Sequence, residues 1–204
     1  MIIKKFLFCL FLLVLLSCAG CEEDKEGLLD QYAGGRLGVI LETSESVPTS
    51  SLCATIVDYI SKRVDLQVVN PELLLDTPDH TNSFNGSIEE LYRAELGLDL
   101  LLKVKLSNLL VKKDFPSFKF KRDYMEIKTT YTCSLTLSYL LHDLHSGKIL
   151  NLDQSKGKSE KTIKLQAGKG KIKIDNMGAE LEGADRIELL ERAIRDALRN
   201  TDLI

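Results

Sequence analysis

The stretch YTCSLTLSYLL, residues 131–141, decides the reading of the chain. Tyr131, Cys133, Leu135, Leu137 and Tyr139 fall on one side of an extended backbone, and Thr132, Ser134, Thr136 and Ser138 fall on the other. A period of two with apolar residues on one side only is a strand packed on one face and wetted on the other. The fold therefore contains a sheet with an uncovered side, and other segments must supply the cover for its apolar side.

Downstream, DLHSGKIL leads into another strand through Ser146-Gly147-Lys148, a turn that asks for a positive φ at Gly147. Upstream, Leu100, Leu102, Val104 and Leu106 alternate with Leu101, Lys103, Lys105 and Ser107, which predicts a second half-buried strand. A helix precedes it. Ser87 and Glu90 have the spacing of a capping box, and Gly97 suits a left-handed helix end. Near the amino-terminal side, LGVILE at 37–42 reads as a strand. A helix follows, started at Pro48-Thr49-Ser50-Ser51 and burying Leu52, Cys53, Ile56, Val57, Ile60 and Val64, and LQVVN then forms another strand. In TIKLQAGKGKIKI, residues 162–174, a short hairpin turning at Gly168-Lys169-Gly170 is expected. The last helix is expected to open at Asp185, with Glu188 as its capping-box partner, and to bury Ile187, Leu190, Ile194, Ala197 and Leu198. The order β-α-β-α-β-β-β-(β-β)-α implies an α+β fold, a mixed sheet with helices packed on one face.

The amino-terminal segment has a different character. Met1 to Lys5 is basic, Phe6 to Leu16 carries no charge, and Ser17, Gly20 and the acidic run from Glu22 end the apolar stretch. That is the pattern of an export signal, and it is short of the roughly 20 apolar residues of a membrane span. Val14-Leu15-Leu16-Ser17-Cys18 resembles the bacterial lipobox, so Cys18 is the expected lipidated residue, with Cys21 as the alternative. The division that follows is a signal peptide at 1–17, a lipidated tether at 18–36 and one periplasmic domain at 37–204. A net charge of −3 and an exported chain give no reason to expect nucleic acid as a partner. Cys53 and Cys133 lie in apolar periodic segments and read as buried thiols, although export would permit a disulfide.

Patterns that could carry chemistry are weak. Gly157-Lys158-Ser159 resembles the end of a phosphate loop, but the glycine needed five positions earlier is Leu152. His142-Asp143-Leu144-His145 offers two imidazoles and a carboxylate at a strand end, without a further ligand nearby in sequence, and reads as a solvated turn. His80 stands alone, and Asp76, Asp79 and Asn82 lack the spacing of a calcium loop. No Gly-x-Ser-x-Gly elbow singles out a nucleophile. No catalytic residue, metal or cofactor is expected. Lys156, Lys158, Lys161, Lys164, Lys169, Lys171 and Lys173 form the one conspicuous cluster, against Glu160 alone. It reads either as a lysine-protected sheet edge or as a contact for anionic lipid or an acidic partner.

Two phrases carry a family resemblance. RAELGLDLLLKVKLSNL at 93–109, a helix running directly into a strand, and LTLSYLLHDLHSGKILN at 135–151, strand, turn and strand, resemble segments of the curli-secretion lipoprotein family. Relatives with the same arrangement are the penicillin-binding-protein activator lipoproteins and the amino-terminal domain of the Tol-system propeller protein. At the turn that family has Thr-Gly-Glu or Thr-Gly-Lys, and this chain has Ser146-Gly147-Lys148. The resemblance covers roughly residues 36–200 and implies a membrane-anchored, non-enzymatic envelope protein, expected at the outer membrane, that binds a protein partner in assembly or secretion and could form homo-oligomers. Its alternative is a pore-forming subunit with membrane hairpins after Leu106 and Leu150. Against that alternative, each arm of TIKLQAGKGKIKI is about half of the 9–11 residues of a spanning strand. The segment LLVKKDFPSFKFKRDYMEIKTTY is in turn broken by Pro116 and by charge.

Overall fold

The computed structural model describes residues 28–75, 87–168, 181 and 183–201. Cys18 and Cys21, the loop with Asp76, Asp79, His80 and Asn82, and Lys169, Lys171 and Lys173 lie outside the described residues. The elements are β1 Arg36–Thr43, α1 Thr49–Ser61, β2 Gln67–Val69, α2 Pro71–Leu74, α3 Ile88–Leu96, β3 Leu100–Lys113, β4 Ser117–Phe120, β5 Tyr124–Asp143, β6 Ile149–Gly168 and α4 Gly183–Arg199. β1 pairs parallel with β2 and β3, while β3, β4 and β6 all pair antiparallel with β5, which makes the sheet mixed and the fold α+β.

The alternation of residues 131–141 sets the layers. Tyr131, Cys133, Leu135, Leu137, Tyr139 and Leu141 join Leu37, Val39, Leu41, Leu102, Val104 and Leu106 under α1 and α4. α1 contributes Leu52, Cys53, Ile56, Tyr59 and Ile60, while Val57 and Val64 are only partly buried. α3 carries the expected reciprocal cap between Ser87 and Glu90, and Gly97 ends it with φ +60°. This helix covers one end of the opposite sheet face. There Ile40, Tyr92, Leu98, Leu101 and Leu144 form a second cluster, so Leu101 is buried where period-two reasoning put it in water.

Other boundaries also move. Leu29 is 1% exposed within the main core, and a 3₁₀ turn at Asp30–Tyr32 follows it, so the folded body begins inside the expected 18–36 tether. β5 and β6 are 20 residues each and pair from Tyr124↔Gly168 to His142↔Ile149. The short hairpin arm expected from residue 162 is thus the far end of one continuous strand, held extended by β5, and the length argument against spanning strands falls with it. The turn at Gly168-Lys169-Gly170 and the return strand extend beyond the described residues.

α4 runs antiparallel along β6 and corrects the reading of its own start. The helix is already formed at Gly183, and Asp185 and Glu188 both accept from the Lys161 amine instead of forming a capping box. Thr201 Oγ1 donates to Asp153 Oδ2 at 2.7 Å, and Ser159 Oγ donates to the Leu189 carbonyl at 2.6 Å. Between them a Cβ on Gly157 would collide with the Ala193 carbonyl and lie 2.9 Å from the Ala197 nitrogen. Gly157-Lys158-Ser159 is therefore a helix-docking site, with the glycine present to let two backbones touch.

Gly147 and Gly157 separate two kinds of glycine requirement. Gly147 has φ +68° with open space around it, so Gly147→Ala should cost only backbone strain, about 1 kcal/mol. Gly157→Ala must displace α4 and should cost about 3 kcal/mol. Urea unfolding of the two variants checks this order.

Candidate functional site

The sheet face away from α1 and α4 carries the candidate site. β5 presents Thr130, Thr132, Ser134, Thr136 and Ser138 there, because successive strand side chains alternate. Register then sets their neighbours on β6: Thr136 faces Lys156, Ser134 faces Lys158, Thr132 faces Glu160 and Lys128 faces Lys164. β3 adds Lys105 and Lys112, opposite Ser138 and Thr132. Hydroxyls bridge the strands, with Thr130 and Thr162 oxygens 3.0 Å apart and Gln154 Nε2 donating to Ser138 Oγ at 3.3 Å.

A bulge interrupts β3 in the middle of this face. Ser107 pairs with Thr136 and Leu110 with Ser134, so Asn108 and Leu109 together oppose Leu135 alone. Asn108 has φ +53°, a left-handed conformation that asparagine tolerates better than most residues. Its amide reaches Thr136 Oγ1 at 3.5 Å. The bulge leaves a depression of about 360 Å³ lined by Asn108, Ser134, Thr136, Lys156 and Lys158. Amide, hydroxyl and ammonium donors around an open depression suit a carboxylate or another anion. Lys158 also pairs with Glu160 at 3.1 Å, but both side chains are more than half exposed, so the pair is worth little and can exchange for another anion.

The lysine cluster of the sequence is divided by strand parity. Lys156, Lys158 and Lys164 share the open face, and Lys161, one position out of phase, turns to the helix side. There it lies 2.6 Å from Asp185 and also binds Glu188, and these two hydrogen bonds, Asp185 first, raise its pKa. Lys161 therefore belongs to the helix contact. Lys105, Lys112 and Asn108 were not singled out by sequence, since only pairing register brings β3 beside β6's partner strand.

The histidine motif is divided too. Asp143 Oδ1 accepts from the backbone N–H of His145 at 2.8 Å and of Ser146 at 3.2 Å, and Oδ2 accepts from Ser146 Oγ at 2.7 Å. Led by the Ser146 bond, these hold its carboxyl below the usual range. His145 Nε2 lies 2.8 Å from Asp99 Oδ1, and Asp99 Oδ2 accepts from the Arg36 N–H at 2.7 Å. His142 points elsewhere, with Nε2 buried and without a hydrogen bond among the described residues. Among those residues no group of three or more His, Cys, Asp or Glu is placed to hold a metal. Cys53 and Cys133 are both free and buried, and desolvation pushes each thiol up to about 11.

No family model and no curated protein matches the sequence. Among solved structures, lipoprotein GNA1162 from Neisseria meningitidis is similar at 15% identity, over 82% of this chain and 99% of that one, with a TM-score of 0.38. The LpoB C-terminal domain from Salmonella enterica is 12% identical over 61% and 82%, with a TM-score of 0.34. The PelC dodecamer from Paraburkholderia phytofirmans is 10% identical over 81% and 86%, with a TM-score of 0.36. Similarity at this level assigns no role to any residue of this chain.

The His142 environment gives a pH dependence of defined sign. Burial first, and then the Lys103 charge, lower its pKa from 6.5, so the unfolded chain takes up a proton that the folded protein resists. This contribution is intact above the unfolded value of 6.5 and is lost as pH falls from there through the lower folded-state value. Asp99, Asp143, Glu89 and Glu188 are all held low, so they matter only at or below the carboxylate range. The urea midpoint should therefore fall between about pH 7.5 and 5.5, and His142→Gln should flatten that slope.

Proposed function

We propose that this chain is a bacterial envelope lipoprotein whose α+β domain holds an acidic segment of a partner protein on its open sheet face, in envelope assembly or secretion. The observation that carries the reading is the Asn108 depression between Lys156 and Lys158, on a face that no long helix covers among the described residues. One side of β5 is engaged in the core, and the other presents a flat, hydrogen-bonding surface with flanking ammonium groups. Such a surface suits recognition more than chemistry. The proposed role is therefore non-enzymatic and needs no cofactor.

Anchoring at Cys18, with Cys21 as the alternative, would keep the domain at the membrane, here proposed as the outer membrane. Two acyl chains suffice for a stable anchor because each buried methylene contributes about 0.8 kcal/mol. No helix among the described residues is long and apolar enough to cross a membrane. A β-spanning role is the weaker reading. β5 and β6 have the length, but over residues 130–141 one of their faces lies under α1 and α4 and the other carries threonine, serine and lysine. Lysine on the lipid face of a barrel at mid-bilayer costs about 2–4 kcal/mol.

A photo-crosslinking residue at Gln154 tests the partner reading in intact envelopes. One discrete protein adduct is expected, reduced about tenfold, or 1.4 kcal/mol, by Lys156→Glu with Lys158→Glu. Adducts that ignore this charge reversal would contradict it. Intact-mass analysis of the same material should find diacylated Cys18 at the new amino terminus, and unmodified thiols would remove the anchor.

A further inference from the structure

The far end of the sheet, KKDFPSFKFKR at residues 112–122, has a surface of a different kind. Phe115 is 99% exposed, Phe120 80% and Phe118 44%. Phe118 and Phe120 pair with Ile127 and Met125 and so share one face of the sheet with them, while Phe115 lies in the connection between β3 and β4. Large rings gathered at one place on a surface mark a contact site.

The charges around the rings indicate what they contact. Lys112, Lys113, Lys119, Lys121 and Arg122 flank them along the chain, against Asp114 and Asp123. At the two ends of this segment, the Lys113 and Lys121 amines lie 5.9 Å and 5.2 Å from the ring centres of Tyr131 and Tyr124. β4 continues the β3 edge of β5, so the rings and the basic side chains lie along one edge that ends at the Lys121-Arg122-Asp123 turn. Exposed rings among an excess of cations match an anionic lipid surface, where hydrocarbon lies beneath phosphate and amphipathic aromatic rings sit at the boundary.

We propose that the β4 edge, at this tip of the sheet, lies in the headgroup region of an anionic lipid surface, as a peripheral contact and not a span. β4 is four residues long, far short of a spanning strand. The tip is a membrane contact additional to any lipid anchor and independent of what binds the open face. It would fix the orientation of the domain on the surface.

The sequence contains no Trp, so Phe115→Trp in the full chain provides a single emission reporter at a fully exposed site. The protein is reconstituted into vesicles of phosphatidylcholine alone and of phosphatidylcholine with equal phosphatidylglycerol, each with brominated acyl chains. Blue-shifted, quenched emission is expected only with phosphatidylglycerol. It should weaken in about 1 M salt, where the screening length is about 3 Å, and be lost when Lys119→Glu and Arg122→Glu are added to a chain that retains its circular dichroism. Absence of quenching in both vesicles would overturn the proposal, as would equal quenching in both, which the lipid anchor alone would produce. A blue shift without vesicles that grows with protein concentration would overturn it too, since a second copy would then cover the tip.

Discussion

The backbone contact between Gly157 on β6 and the Ala193 turn of α4 is the constraint on which the rest of the structure depends. β6 is an edge strand among the described residues, paired with β5 alone. A long edge leaves a row of backbone donors and acceptors open to other chains. α4 answers this by lying so close that Asp196 Oδ2 accepts from the Lys158 N–H at 2.9 Å and Asn200 Nδ2 donates to the Lys156 carbonyl at 3.3 Å. The same approach buries Leu189, Leu190, Ala193, Ile194, Ala197 and Leu198 against the sheet and α1. A fully buried Leu or Ile contributes about 1.5–3 kcal/mol each, so this one helix accounts for much of the core on its side.

Because α1 and α4 occupy one face, the other is left to water over most of β5 and β6. The division is sharp because strand alternation allows no intermediate positions. Lys161 joins two helix carboxylates while Lys158 and Lys164, three residues to either side, share the open face. α3 covers only the near end of that face, where Lys103 pairs with Glu89 at 2.5 Å. Beyond it lie the Asn108 bulge, its depression and the flanking lysines. The apolar core and the recognition surface are thus two sides of the same strands, and the bulge changes the local shape of the second without disturbing the first.

Much of this was legible in the residues. Period two at 131–141 gave the packed and wetted faces, and Ser87, Glu90 and Gly97 gave both ends of α3, because these signals act within a few residues of chain. Long-range contacts were less visible. Gly157 appeared in a false phosphate-loop pattern, since nothing local announces that a helix thirty-six residues later will touch it. Asp185 and Glu188 had capping-box spacing but are drawn to Lys161. Leu29 looked like part of a polar tether because its burial depends on neighbours elsewhere in the chain. The length of β6 was masked by its lysines and glycines, which are poor strand formers alone and are held extended by pairing with β5. At the site, the lysines were seen as a cluster, but register alone distinguishes Lys161 from the others and adds Lys105, Lys112 and Asn108.

If α4 completes the β6 edge, residue-resolved native-state hydrogen exchange will register it at Lys158. The Lys158 amide points out of an edge strand and would exchange quickly if only water met it. With Asp196 holding it, that amide should exchange as slowly as the interior amides of β5 and open only together with α4. Rapid exchange at Lys158 while the α4 amides remain protected would contradict the account.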